Sequence, residues 1–225
     1  MRVAAVIPWR GGQPDRERHH QTVRAHLRDL LPDAWHIDAD SGHQPFSRAG
    51  SRNHGVRLAQ DVGAEVVVLC DADTLPEREP LLAAIDGAHD GRLHLPYTRY
   101  RSLTRRGLAQ YRRGDPLMDC EVDHDHGWAT GGVLVIQPEA WWRAGGMDEA
   151  MVGWGFEDSA FRVAVDALLG PTVRHDGVIH HLWHKPDWNI GSPRYNANAA
   201  RMQRYVAAEG DPAAVRAIVS EFAPV

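Results

Sequence analysis

Lysine is nearly missing. Lys185 is the single example in 225 residues, and arginine carries the rest of the positive charge. Against 30 Asp and Glu, the 25 Lys and Arg leave a formal net charge of −5. That balance argues against nucleic-acid binding by the whole chain but leaves local patches open. Two cysteines, Cys70 and Cys120, are too few for a disulfide framework. Cys70 also ends an apolar run, so a reduced chain in the cytoplasm is expected. No stretch approaches the length of a membrane span, and no signal peptide precedes Val3. Internal repeats, low-complexity tracts and a convincing linker are also lacking. With 43% hydrophobic and 24% charged residues, the composition is that of one globular domain over 1–225, and the order of its elements makes it α/β.

What is present alternates. Arg2 to Ile7, Ala34 to Asp38 and Glu65 to Cys70 read as strands, and Arg16 to Leu31 and Arg48 to Asp61 as helices between them. The alternation indicates a mostly parallel, Rossmann-like sheet, with ligands at the carboxyl ends of its strands. Residues 1–75 form the nucleotide-binding half in this reading, and 95–190 the acceptor and metal half. Gly131 to Ile136 is a further strand, and Pro138 to Ala144 and Asp158 to Leu169 are helices. Val173 and Val178 to His181 are short strands. Asn196 to Ala208 and Pro212 to Phe222 close the chain as amphipathic helices, within 195–225. Arg99 to Asp115, with Gly107 and Gly114, reads as a long surface segment.

Chemistry concentrates in a few places. The strand ending at Cys70 runs into Asp71-Ala72-Asp73, two carboxylates that suit a divalent cation bridging phosphates. A solvated loop start is the plainer alternative. His181 and His184, three apart in His180-His181-Leu182-Trp183-His184, can aim two imidazoles at one ion. Imidazole plus carboxylate favours Mn²⁺, with Mg²⁺ as the alternative. His124 and His126 form a rival cluster that fits a solvated loop better. In Gly153-Trp154-Gly155-Phe156-Glu157-Asp158 the acids open a helix whose dipole keeps them ionised. A carboxylate there can act as general base, and Trp154 offers a face on which a sugar ring can stack. Arg48 and Arg52 lie one helical turn apart, which suits a diphosphate and surface ion pairing equally. Together these features read as transfer of a sugar from a nucleotide.

Phe46-x-Arg48-Ala49-x-x-x-Asn53-x-Gly55, Asp71-x-Asp73, Gly131-Gly132 and Gly153-Trp154-Gly155-x-Glu157-Asp158 occur in the order seen in beta-1,4-galactosyltransferases. Chondroitin polymerase and polypeptide GalNAc-transferase catalytic domains are similar. The resemblance spans Val3 to His184 and implies a GT-A fold, a UDP-sugar donor, Mn²⁺ and inversion at the anomeric carbon. It also implies residue roles. Asp73, His181 and His184 would ligate the metal, with Asp71 supporting the ribose or metal waters. Asp158 would be the base and Glu157 would hold a sugar. Pro8, Arg10 and Asp38 would surround the uridine, Arg48 would lie near the phosphates, and Gly132 and Trp154 would shape the donor pocket. Ser47 and Phe156 depart from the family pattern, at positions where asparagine and glycine are usual.

Two other readings compete. Val66 to Thr74 also matches the first motif of haloacid-dehalogenase-like phosphatases, with Asp71 as nucleophile and Asp73 as acid/base. Those enzymes need a lysine before their last acidic pair, and Lys185 comes after Glu157 and Asp158. A non-catalytic sugar or nucleotide binder is the second. For the acceptor, a glycan is expected. Arg99 to Arg113, interleaved with Tyr100 and Tyr111 and preceded by Tyr97, raises a hydroxylated base in DNA as the alternative, or else a solvated flap.

Overall fold

The computed structural model describes residues 1–185 and 190–222. Its first third follows the expected alternation closely: β1 (Val3–Pro8), α1 (Pro14–Leu30), β2 (Trp35–Ala39), α2 (Arg48–Asp61) and β3 (Val66–Cys70). All five residues of β3 are buried, which is why this strand reads as an unbroken apolar run. A short β4 (Thr74–Pro76), α3 (Arg78–Gly87) and β5 (His94–Leu95) follow. Next come β6 (Arg99–Leu103), α4 (Arg105–Arg112), β7 (Val122–His126), β8 (Val133–Ile136) and α5 (Pro138–Arg143). The chain continues through α6 (Glu157–Leu168), β9 (Val173–Arg174), β10 (Val178–His181), α7 (Pro193–Ala208) and α8 (Pro212–Val219).

Two sheets result. The larger has the order β2-β1-β3-β8-β5-β9. β1 pairs in parallel with β2 and β3, and β5 with β9, whereas β8 runs against both β3 and β5. The sheet is therefore mostly parallel, as expected, with one reversed strand. The smaller sheet, β4-β10-β6-β7, sits where β3 ends. Its β10 carries His181 into register with Thr74, directly after the Asp71-Ala72-Asp73 turn.

The stretch expected as a surface segment, Arg99 to Asp115, is instead a strand of the second sheet followed by a helix. Leu103 and Leu108 are buried in the main core. Gly107, which in sequence suggests a surface segment, lies inside α4 where the backbone of Glu121 passes. A Cβ at Gly107 would stand 2.0 Å from the Glu121 carbonyl oxygen. The glycine marks a close approach and not a loop.

The three helices α6, α7 and α8 enclose a second apolar cluster through Val163, Ala164, Met202, Tyr205, Val215 and Val219. This cluster backs the segment that contains Trp154.

Candidate active site

The Asp71 to Asp73 turn is fixed from behind. The backbone N–H of Asp71 donates to the Gly132 carbonyl at 2.8 Å, and the Thr74 hydroxyl donates to the same oxygen at 3.0 Å. Gly132 adopts φ +87°, and a Cβ there would press on Ile179 at 2.9 Å. Gly132 thus braces the turn through its backbone.

Spacing two does not aim both carboxylates at one ion. The Asp73 side chain, almost fully buried, turns toward β10 and the segment after it. Its oxygens lie 3.7 Å from His181 Nε2 and 3.4 Å from His184 Nε2. Ligand atoms of Asp73, His181 and His184 all fall within 4.8 Å of one another, the arrangement needed to hold a metal ion. One carboxylate and two imidazoles form a donor set suited to Mn²⁺. Burial works against the charge of Asp73, yet His181, Arg16 and His184 hold its pKa below the ordinary value. Arg16 Nη2 donates to Asp73 Oδ2 at 3.0 Å, so a cation held here would share that carboxylate with a guanidinium.

Asp71 turns the other way, to Arg52. This guanidinium is 2% exposed and donates from Nη2 to Asp71 Oδ1 and from Nη1 to Asp158 Oδ1, each at 2.6 Å. Burial opposes its charge, but Asp158, Asp71 and Glu157 together raise its pKa. One turn earlier, Arg48 pairs with Glu157 at 2.7 Å and donates to the Gly153 carbonyl at 3.3 Å. The two arginines are thus committed to the acids of the Trp154 segment. Sequence spacing showed that they share a face; nothing in it showed that Asp71 and Asp158 meet on that face.

Asp158 lies in the first turn of α6, against the backbone of Gly131. A Cβ at Gly131 would stand 2.3 Å from Asp158 Oδ2, so a side chain there would displace that carboxylate. Burial pushes the Asp158 carboxyl up to about 6, with the Arg52 charge pulling in the opposite direction. Phe156, the residue before α6, has φ +77°. A non-glycine residue in that region costs on the order of 1–2 kcal/mol, so the position described as usually glycine does demand left-handed backbone. The Phe156 ring recovers contact with Tyr195 at 5.3 Å.

The C-terminal helices, outside the stretch that carries the family resemblance, hold the Trp154 segment. Tyr195 stacks on Trp154 at 5.9 Å, and Asn198 donates to the carbonyls of Val152 and Gly155. Trp154 is 40% exposed, and Trp128, three residues before Gly131, is 77% exposed. Trp128 stacks on His126 at 4.0 Å, which stacks on Tyr100 and through it on His181. The rival His124 and His126 cluster is therefore an edge strand with an aromatic stack. It forms no metal-holding group among the described residues.

At the carboxyl end of β1, Arg10 forms a two-pronged pair with Asp40, both contacts 2.6 Å, and lies over the Phe46 ring. Asp38 bonds His20 at 2.8 Å and Arg24 at 2.7 Å. Pro8, at the end of β1, stands in register with Ala39. These residues share one edge of the larger sheet.

The comparisons with known proteins agree with this architecture. Residues 119–184 match the family described as the N-terminal domain of galactosyltransferase. That span includes Gly131, Gly132, the Trp154 segment, His181 and His184. No curated protein matches the chain by sequence. Among solved structures, a mutant of Drosophila beta-1,4-galactosyltransferase 7 with manganese, UDP-Gal and xylobiose superposes with TM-score 0.56 at 17% identity. The match covers 88% of this chain and 79% of that one. The fold is GT-A. The catalytic domain of the same Drosophila enzyme with xylobiose gives 0.55 at 18% identity, with coverages of 88% and 79%. GalNAc-T7 with UDP, GalNAc and Mn²⁺ gives 0.53 at 14%, covering 98% of this chain and 55% of that one. The chain thus has the GT-A fold, and its residues 119–184 are similar to a galactosyltransferase domain.

Proposed function

We propose that the chain is a metal-dependent, inverting glycosyltransferase that moves a sugar from a UDP-sugar donor to an acceptor hydroxyl. The observation that carries this reading is a continuous run of contacts. Asp158 joins Arg52, Arg52 joins Asp71, and two residues on Asp73 meets His181 and His184. A candidate base and a candidate metal site are thereby fixed to one turn. The manganese, UDP and UDP-Gal found with GT-A neighbours support the donor class.

Asp73, His181 and His184 would hold the ion, which when bound would neutralise charge on the departing diphosphate. Burial holds the pKa of His181 below the ordinary value, which keeps its imidazole neutral for ligation. Asp158 takes the proton of the acceptor hydroxyl as its oxygen attacks the anomeric carbon. Arg52 fixes the orientation of that carboxylate. Glu157, held by Arg48 and by the Gly155 N–H at 3.1 Å, is placed to bind sugar hydroxyls. Pro8, Arg10 and Asp38, at the β1 and β2 edge, would lie toward the nucleoside. Trp154 and Trp128 offer stacking faces for the acceptor.

A glycan fits as acceptor better than a hydroxylated base in DNA. Arg99 and Arg101 pair with Asp125, Arg106 with Glu121 and Arg113 with Asp115, and Tyr97 is buried. Four of that segment's six arginines are thus engaged, with three acids between them, which leaves Arg105 and Arg112 on α4. The phosphatase reading fares worse still, because its nucleophile Asp71 is tied to Arg52. The testing experiment is a UDP-release screen across donor sugars with Mn²⁺. Release stimulated by one donor and a glycan acceptor is expected; no release with any donor would refute the reading.

A further inference from the structure

A cleft of about 820 Å³ opens beside the Asp73 cluster, between the start of α1, α4 and the segment after β10. Arg16, Arg105, Arg112, Arg113 and Lys185 line it against a single acid, Asp15. Such a concentration of positive charge is out of keeping with a chain of net charge −5. The side chains of Arg105, Arg112 and Lys185 make no ion pair or hydrogen bond among the described residues, although Arg105 lies over the Trp183 ring.

The contrast with the arginines after β1 and on α2 is direct. Arg10 is committed to Asp40, Arg48 to Glu157, and Arg52 to Asp71 and Asp158. The guanidinium expected beside the phosphates, Arg48, already has its carboxylate partner. Uncommitted cations beside the Asp73 cluster lie in the cleft.

His19 supplies an independent observation. It lines the same cleft, is 2% exposed, and neither ring nitrogen has a hydrogen-bond partner. Leaving a buried polar group unsatisfied costs about 1–3 kcal/mol. Its imidazole is neutral at neutral pH, burial having pushed its pKa down to about 4. A neutral ring has one N–H to donate to an anionic oxygen. Arg16 and His184 belong to both the cleft and the cluster on Asp73, so one ligand can touch both.

We infer that this cleft holds the diphosphate of the donor, with Arg105, Arg112 and Lys185 meeting its oxygens and His19 donating to one of them, while Arg16 stays on Asp73. The inference rests on the nucleotide-sugar reading above. It moves the phosphate role from Arg48 to α4 and the segment after β10. Guanidinium groups suit that role because each can offer two parallel donors to one phosphate.

The test is calorimetric titration of inorganic pyrophosphate into the full chain, with EDTA at low ionic strength. Saturable binding, displaced by UDP, is expected. R105A/R112A should weaken both ligands at least about tenfold, as loss of charge-assisted bonds to two arginines requires. Both arginines are exposed, and an unchanged melting temperature confirms that the variant is folded. Binding that survives R105A/R112A, or pyrophosphate that UDP does not displace, would overturn the inference. So would R48A weakening UDP while R105A/R112A does not. The two readings fail separately. Transfer with an unchanged donor KM in R105A/R112A removes the cleft alone. Intact pyrophosphate binding and displacement, with no transfer from any donor, removes the transferase alone.

Discussion

The Arg52 guanidinium bonds the Asp158 carboxylate at 2.6 Å from a position almost wholly closed to solvent. Its second nitrogen is equally close to Asp71. Arg52→Lys keeps the charge but cannot span both carboxylates. Its kcat should fall about tenfold or more with little change in donor KM, since one of two charge-assisted bonds is lost. Arg52→Ala leaves two partly exposed acids unpaired and should cost about 2–3 kcal/mol, a value discounted for solvent access. Steady-state kinetics and urea unfolding check these outcomes. Full kcat in Arg52→Lys would show that the bridge plays no part in placing the base.

The carboxyl of Asp158 sets an acid limit on activity. Its pKa rises from an ordinary 3.8 to about 6 through burial. As the base must be ionised, kcat/KM should climb with pH through about 6 and then level off. Stability moves in the opposite sense. A carboxyl that holds its proton more tightly when folded adds stability that is fully present below 3.8 and is lost as pH rises through about 6. Comparing wild-type and Asp158→Asn melting temperatures across that window checks the sign; the asparagine variant should gain on the wild type as pH increases.

Removing a metal ligand should act on metal affinity first. His184→Ala and Asp73→Asn should each weaken Mn²⁺ binding at least about tenfold, following the usual effect of perturbing a metal's ligand sphere. Direct titration with Mn²⁺ reads this. Trp128→Ala should leave Mn²⁺ binding alone and raise the acceptor KM. Unaltered Mn²⁺ affinity in both ligand variants would place the metal elsewhere.

The C-terminal helices should matter although no residue on them is proposed to touch substrate. Asn198→Ala removes both side-chain bonds to the Val152 and Gly155 carbonyls. About 1–2 kcal/mol of stability should be lost, as for a pair of buried hydrogen bonds. Hydrogen exchange in residues 152–156 should accelerate. Unchanged exchange there would mean that α7 does not hold the Trp154 segment.

Much of the fold was legible because period and punctuation agreed. α2 runs from Arg48 to Asp61, the bounds read from sequence, with Ser47 capping Gly50. The unbroken apolar run of β3 announced a buried strand. Gly107 misled because a glycine required by a passing backbone looks the same in sequence as one required by a turn. Spacing paired Asp71 with Asp73 and His181 with His184, the resemblance singled out Asp73, and the structure brings Asp73, His181 and His184 together. Spacing could not reveal Arg52 as a bridge or His19 as an unsatisfied buried ring, since both depend on which groups meet across the fold. Trp128 escaped notice for the same reason. Its significance comes from the ring stack it begins, through His126 and Tyr100 to His181, and no motif marks it.

The most direct test of the central claim is Asp158→Asn, assayed for sugar transfer and for binding of UDP with Mn²⁺. Transfer should fall at least about a hundredfold, the loss expected for removal of a general base. Binding of UDP and Mn²⁺ should stay near the wild-type level. Wild-type turnover in the variant would contradict the assignment of Asp158 as the base.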